Sequence, residues 1–530
     1  MPLATTFATH LSRSPLRHAA FRTFYAGAIG AALGYTMQTT IAAWLMATLS
    51  SSPLVVSLVQ TAATAPALVF GLVGGSMADI IDRRRVILIT QLVLLATTVL
   101  LGLLAIVGFA GPATILALTF VVGAAFAFYQ PAQQASVNDL VTRAELPHAV
   151  SLNAIAFNVS RAIGPALAGA LTAWLGSGSA LIASACFFAV MVYSVRRMKP
   201  REPALPGVPE RLLAGVQVGL RYARHSPSLR AFILRTLAFT ACACALWALL
   251  PIIARDQLHL GAGGFGFLFG MFGIGAVVGA MSIPHQLRKR SLNRVVYSGT
   301  MLWAMSSLLI AATEFTALAA AGTFCAGAAW VTVHASLSAG TQSSVPGWVR
   351  ARSVALNLVA VQACMALGSP AWGLVAEWTD TRFAMAASGI GLLVLILLVR
   401  RIRVRMGSEE DVTLGAALPE MALPAEPEPD DGPVLIQVEY QIPLEHREAF
   451  LHAIRKVGPT RQRNGAMSWR VFRDIGHDGR FVERYIIESW AEYVRLRSRM
   501  TMTDRALQQR AQDLQAKDTP IRVSRFLGVE

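Results

Sequence analysis

Apolar residues in this chain gather in runs as long as a bilayer is thick, instead of alternating or recurring every third or fourth place. Twelve such runs stand at about 21–47, 54–78, 86–108, 112–137, 150–174, 178–195, 230–254, 264–284, 294–312, 315–338, 353–376 and 382–400. A helix crosses the hydrocarbon core with about 20 residues at about 1.5 Å each, so the pattern predicts membrane-spanning helices. Connections such as Ser50–Pro53 and Gly108–Pro112 are very short, as tight helical hairpins require. A polar turn, Asp79–Arg85, separates the runs Leu54–Ala78 and Val86–Gly108, neither of which carries a charge.

After Arg405 the pattern changes. Met406–Pro433 holds eight acidic residues, no basic ones and several prolines, the signature of a disordered, self-repelling linker. Strand-like and helix-like stretches then alternate on a shorter period. Val434–Tyr440 reads as a strand and Glu445–Val457 as a helix. Ser468–Asp474 and Phe481–Glu488 read as a hairpin around Gly476–Gly479. Trp490–Arg499 and Thr503–Leu514 read as helices, and Ile521–Phe526 as a last strand. The order β-α-β-β-α-β is that of a ferredoxin-like split unit. The expected fold class is all-α membrane, with twelve transmembrane helices as two six-helix repeats, plus a small C-terminal α+β ferredoxin-like cytoplasmic domain.

Two landmarks support the repeat. Gly75 and Arg84-Arg85 correspond to Gly279 and Arg288-Lys289 at a separation of 204 residues, and Gly164-Pro165 corresponds to Ser369-Pro370 at 205. Parallel repeats of this kind build transporters whose site lies between the halves. The expected domains are therefore 1–195 and 230–405 as six-helix bundles, 196–229 as a cytoplasmic linker, 406–433 as the acidic linker and 434–530 as the soluble unit. Within 196–229, Leu212, Val216, Leu220 and Ala223 recur at helical spacing, with Arg211, Arg221 and Arg224 elsewhere on the wheel. This predicts an amphipathic helix on the inner leaflet. Glycines recur through 264–279, with no preceding strand to make a dinucleotide site; close helix packing in lipid is the expectation.

Composition agrees. The chain is 54% hydrophobic and only 14% charged, against about 25% charged in soluble proteins. Its net charge of +16 invites a nucleic-acid reading, but the placement of the basic residues excludes it. They concentrate at Arg83–Arg85, in 196–229, at Arg288–Arg290 and just after the last run, while the predicted outer loops hold Arg255 and Arg382. That bias predicts a multi-pass protein of the cell inner membrane with both termini cytoplasmic. Met1–Arg22 lacks the apolar core of a cleavable signal, so the first helix is expected to be the anchor. All five cysteines fall inside apolar runs without His or carboxylate companions, and no metal or cofactor is expected.

Charges inside apolar runs are the informative residues, because each costs at least about 2.5 kcal/mol to insert. Arg161 is one, with Asn158 a turn before it on the same face. Arg161 suits an anionic or catecholate-like group; a structural pin on a neighbouring helix is the alternative. No Asp or Glu lies mid-run: Asp79, Asp139, Asp256 and Glu377 sit at ends. That leans toward neutral or anionic substrates. Other polar residues recur on helical faces: Tyr35 and Gln38; Gln130, Gln133 and Gln134; Trp330, His334 and Ser338. Interhelical hydrogen bonding, worth about 0.6 kcal/mol each, is the plainer account of any one of them. His446, His452 and His477 form no catalytic cluster, and the chain is not read as an enzyme.

The stretch Gly75-x-x-x-Asp79-x-x-x-Arg83-Arg84 resembles the signature loop between helices 2 and 3 of the major facilitator superfamily. It departs from it at Ile80, where the family has a basic residue, and at Asp82, where it has glycine. Phe21-Arg22, Trp44-Leu45, Ser52-Pro53, Pro66 and Arg161–Pro165 resemble the enterobactin-exporter-like, transmembrane secretion effector branch. The tail, with Met502–Leu507, is similar to antibiotic-biosynthesis-monooxygenase-like domains, which pair through their sheets. The resemblance implies a substrate pathway lined by Tyr35, Gln38, Gln130, Gln134, Asn158, Arg161, Trp247, Trp330 and His334. It implies a gate of Gly75, Asp79, Arg83, Arg84 and Arg352, with Asp79 facing the N-terminus of helix 11 near Arg352-Ser353. It further implies export of a small molecule, siderophore or drug-like, driven by proton entry, with a homodimer through the tail. A multidrug exporter of cationic amphiphiles and a membrane-tethered enzyme acting through its tail are the alternatives.

Overall fold

A computed structural model describes residues 15–198, 212–399, 402–415, 427–516 and 519–529, with backbone alone at 72–80 and 212–216. Arg211, within the expected amphipathic stretch, lies outside them, and so does the side chain of Asp79. Contacts group the chain into two units, one of Met1–Pro209, Thr236–Ser336 and Val359–Arg401, the other of Glu210–Arg235, Leu337–Leu358 and Ile402–Glu530.

Six long helices form the first half of the bundle: α1 (Ala19–Leu49), α2 (Pro53–Ile80), α3 (Arg83–Val107), α4 (Pro112–Leu140), α5 (Leu146–Leu175) and α6 (Ser177–Arg196). After a short helix α7 (Leu212–His225) come α8 (Pro227–Ile252), α9 (Ala262–Lys289), α10 (Leu292–Ala312), α11 (Thr316–Ser343), α12 (Gly347–Trp378) and α13 (Thr381–Leu398). Among the described residues, eleven of the twelve long helices are long and apolar enough to cross a membrane. The other, α1, has 31 residues, and Tyr35, Thr36, Gln38, Thr39 and Thr40 lower its apolarity. This is an all-α, multi-spanning membrane fold. Several helices overrun the apolar runs, as α9 does through Arg288-Lys289, because hydropathy marks the lipid-facing span whereas backbone hydrogen bonding continues past it.

In the first half α1 packs on α2, α4, α5 and α6, and α3 packs on α4 and α6. Asp82 caps α3, its side chain accepting from Arg84 N at 3.0 Å. Arg83 Nη1 donates to Asp139 Oδ2 at 2.8 Å, and Arg84 Nε and Nη2 donate to the Val195 and Arg196 carbonyls, both at 3.1 Å. A cation at the carbonyl end of α6 meets the negative pole of that helix. The glycines of α9 form two stripes. Gly266, Gly270 and Gly273 face Gly169, Ala166 and Ala162 of α5, while Gly275 and Gly279 face Phe324 and Ala328 of α11.

The second unit contains an antiparallel sheet in the order β2-β3-β1-β4, built of β1 (Val434–Gln441), β2 (Ser468–Arg473), β3 (Arg480–Ile487) and β4 (Arg522–Leu527). Helix α14 (Glu409–Val412) precedes β1, α15 (Arg447–Asn464) follows it, and α16 (Trp490–Arg499) and α17 (Met502–Gln512) follow β3. Helix α15 runs a full two turns past the expected end at Val457. Those turns place the buried Arg461 against the buried Glu483, which also accepts from Tyr440 Oη and Trp469 Nε1. Asp504 closes a capping box with Thr501 and accepts from Arg463 and Asn464.

Two expectations about connections change here. Helix α7 packs on α15 rather than presenting its apolar side to lipid alone: Tyr222 and Ala223 are buried, whereas Leu220 is exposed. The described ends of the acidic stretch are pinned rather than disordered. Gly415 N donates to Met500 O and Met502 N to Thr413 O, and the Ser344 hydroxyl donates to Arg405 O. Downstream, Trp490 N donates to Asp431 O. Backbone groups met by partners of this kind offset the charge repulsion that composition alone foretells.

Candidate transport site

Arg161 stands at the midpoint of α5. It is exposed, yet it points inward, for its guanidinium lies 5.9 Å from the Phe157 ring and 5.8 Å from the Trp247 ring of α8, in the other half. An arginine at this depth with a ring of the opposite half against it brings the two halves together around one charge. Among the described residues no hydrogen-bond acceptor and no carboxylate meets it. It lies within electrostatic reach of Tyr35 and His334.

Aromatic rings build the wall of the second half. Trp247 meets Trp330 at 5.8 Å, Phe269 at 5.4 Å and Phe272 at 5.0 Å. Trp330 meets His334 at 4.2 Å and Trp303 at 5.6 Å, and Phe239 packs edge-on against His334 and Trp303. The Trp247 and Trp303 indole N–H groups and His334 Nε2 are buried without a partner among the described residues. Rings of this kind pack on flat apolar groups, and a guanidinium donates to anionic oxygen.

Of the sequence-derived pathway residues, the fold gathers Tyr35, Arg161, Trp247, Trp330 and His334. The Tyr35 ring stacks on Phe126 at 3.8 Å, and its hydroxyl donates to Ala63 O at 3.3 Å. Among the described residues, no contact draws the others in. Gln38 is fully buried with neither amide atom paired. Gln130 is half-buried, Gln134 is exposed, and Asn158 donates to Ala154 O of its own helix at 2.9 Å. Nearby Gln133 pairs with Asn153 at 2.7 Å. The site residues absent from the sequence reading are Phe157, Phe239, Phe269, Phe272 and Trp303. Phe265, Phe269 and Phe272 recur at helical spacing, a signal that apolar runs elsewhere in the chain dilute.

Of the gate residues, Arg83 and Arg84 tie helix ends within the first half. Helix α12 begins at Gly347, so Arg352-Ser353 lie in its second turn rather than at its free N–H groups, and the Arg352 Cβ faces Gly219 of α7.

Relatives fit this architecture. The profile of the transmembrane secretion effector family, within the major facilitator superfamily, matches residues 10–530. The chain belongs to that family and is a secondary-active transporter of small molecules rather than an enzyme. It is 27% identical to the multidrug efflux pump Tap of Mycolicibacterium fortuitum, covering 58% of this chain and 74% of that one. It is 22% identical to the staphyloferrin A transporter of Staphylococcus aureus, covering 50% and 67%. Its fold matches a bacterial homologue of the human lysosomal transporter Spinster, in an inward-facing and unoccupied conformation, with a TM-score of 0.59 at 13% identity, covering 73% and 98%.

Proposed function

We propose that this transporter exports a small, neutral or anionic compound with flat apolar parts, siderophore or drug-like, by alternating access coupled to proton entry. The observation that carries the reading is Arg161, a cation without an acidic partner among the described residues, backed by aromatic rings. Holding such a charge at mid-membrane depth is costly unless something binds it. The names of two relatives, one for multidrug efflux and one for staphyloferrin A transport, agree with a substrate of this kind. The basic turns argue for an inner-membrane orientation with both termini inside. Asp79, near the end of α2, serves in this reading as a gate anion. An Asp79→Asn variant that transports normally would remove that role.

The soluble unit is proposed to be a ferredoxin-like dimerisation module of the monooxygenase-like type. Phe472 and Phe526 stand exposed on its sheet, at 45% and 50% exposure, which suits pairing of two sheets. Cross-linking of the full chain in membranes tests it; a monomer at all loadings would overturn it. The deciding test of the function is uptake by everted vesicles across a compound panel, with and without a pH gradient. Anionic and neutral aromatics should be accumulated and should compete with one another. Accumulation confined to lipophilic cations would favour a cationic multidrug exporter instead.

A further inference from the structure

One turn joins α1 to α2, and the opposite half holds it by both ends. Arg255 Nη1 donates to the carbonyl of Ser50, the residue that caps the C-terminus of α1, at 2.9 Å. Glu377 Oε2, at the end of α12, accepts from the Ser52 hydroxyl at 2.7 Å and from Leu54 N, in the first turn of α2, at 3.3 Å. The signs match the backbone: a cation sits at a helix C-terminus and an anion at a helix N-terminus.

Arg255 is braced for this task. It lies in a π turn, Ile253–Gln257, a rare geometry concentrated at functional places. Asp256 fixes its guanidinium with contacts of 2.5 and 2.6 Å. Next to it, Gln257 Nε2 donates to the Ile310, Ala311 and Thr313 carbonyls at 2.9, 3.3 and 2.6 Å, which binds the π turn to the end of α10. Contacts between the halves continue inward from this end. Trp44 stacks on Phe265 at 5.4 Å, Thr61 Oγ1 donates to Ala366 O at 2.8 Å, and α5 meets α9 glycine to glycine.

We infer that Arg255 and Glu377 form a two-pronged latch. It holds this end of the bundle shut by gripping the dipole ends of α1 and α2, and releases both together whenever the transporter opens here. The inference rests on the alternating-access reading but not on any substrate. Nitroxide pairs at Ser51→Cys and Thr379→Cys, both exposed sites, in a chain with its five native cysteines replaced, read the separation by pulsed electron resonance. The parent chain should show a dominant short distance. Each of R255A and E377A should move the short-to-long ratio by about two- to fivefold, the worth of one helix-end charge, and the double variant by about the product. E377Q, isosteric and still able to accept from Ser52, should fall between parent and E377A, and it carries the test if the double variant does not insert. Distance distributions that superimpose in every variant overturn the latch. Because no ligand is added, a wrong assignment of the Arg161 site leaves this result untouched.

Discussion

Arg161 was legible as a residue because a charge within an apolar run has few innocuous explanations. What the guanidinium faces was not legible, since its ring partners come from Phe157 one turn away and Trp247 some way along the chain. Replacing it tests the site directly. Arg161→Ala and Arg161→Lys should each weaken anionic-substrate binding by about 10- to 100-fold, the worth of a charge-assisted contact, since lysine lacks the planar fork. Titration of the purified protein with substrates from the vesicle panel checks it; unchanged affinity in an inserted Arg161→Lys variant removes the role. A second residue, Glu145, speaks to acid. The Thr142 hydroxyl, and then the Thr142 N–H, His18 and Arg17, hold its carboxyl down to about 2 from 4.5. A depressed carboxyl stabilises above its ordinary value and loses that contribution as pH falls through the folded one. Backbone exchange over 142–149, corrected for intrinsic rates, should therefore be level down to about pH 4.5 and rise below it. Glu145→Gln should abolish that step.

Among elements, the long helices were plain and the close-packed faces were not. Glycine recurrence in α9 foretold close approach, but two partners on two faces is a tertiary fact: α5 on one side and α11 on the other. At Gly169 an added Cβ would stand 2.5 Å from the Gly266 Cα, backbone against backbone with nothing flexible to yield. Gly169→Val should therefore wedge the halves apart at the latched end. The Ser51/Thr379 label pair should report a longer distance, and an unchanged distance in a folded variant would count against that contact. The repeat landmarks land in matching places, Pro165 inside α5 and Pro370 inside α12. Connections misled the pattern reading because composition records what a segment resembles alone. The helix α7 has an apolar stripe, and only packing reveals that part of it covers α15.

For the molecule as a whole, the second unit joins what the sequence separates. Helix α7, the start of α12 and the C-terminal α/β fold share contacts across long stretches of chain. Trp348 takes the Arg499 guanidinium at 4.4 Å on its face and Tyr222 edge-on at 5.6 Å. A partly desolvated cation–π contact is worth about 1–2 kcal/mol. Trp348→Ala should thus speed limited proteolysis of the strap at 402–415 about five- to thirtyfold if cleavage follows local opening. Equal cleavage rates would show that the strap is held by other contacts.

The sequence alone determined that this chain crosses a membrane many times, that a small region of strands and helices follows, and that Arg161 interrupts an apolar run. Those properties follow from local composition and period, which bilayer thickness and the cost of buried charge translate directly into structure. Tertiary structure decided which rings surround Arg161, which faces of α9 are shared, and that Arg255 and Glu377 meet one turn from opposite sides. Each of these depends on side chains distant in sequence reaching one point, and no periodicity within a single helix encodes which neighbour it will meet.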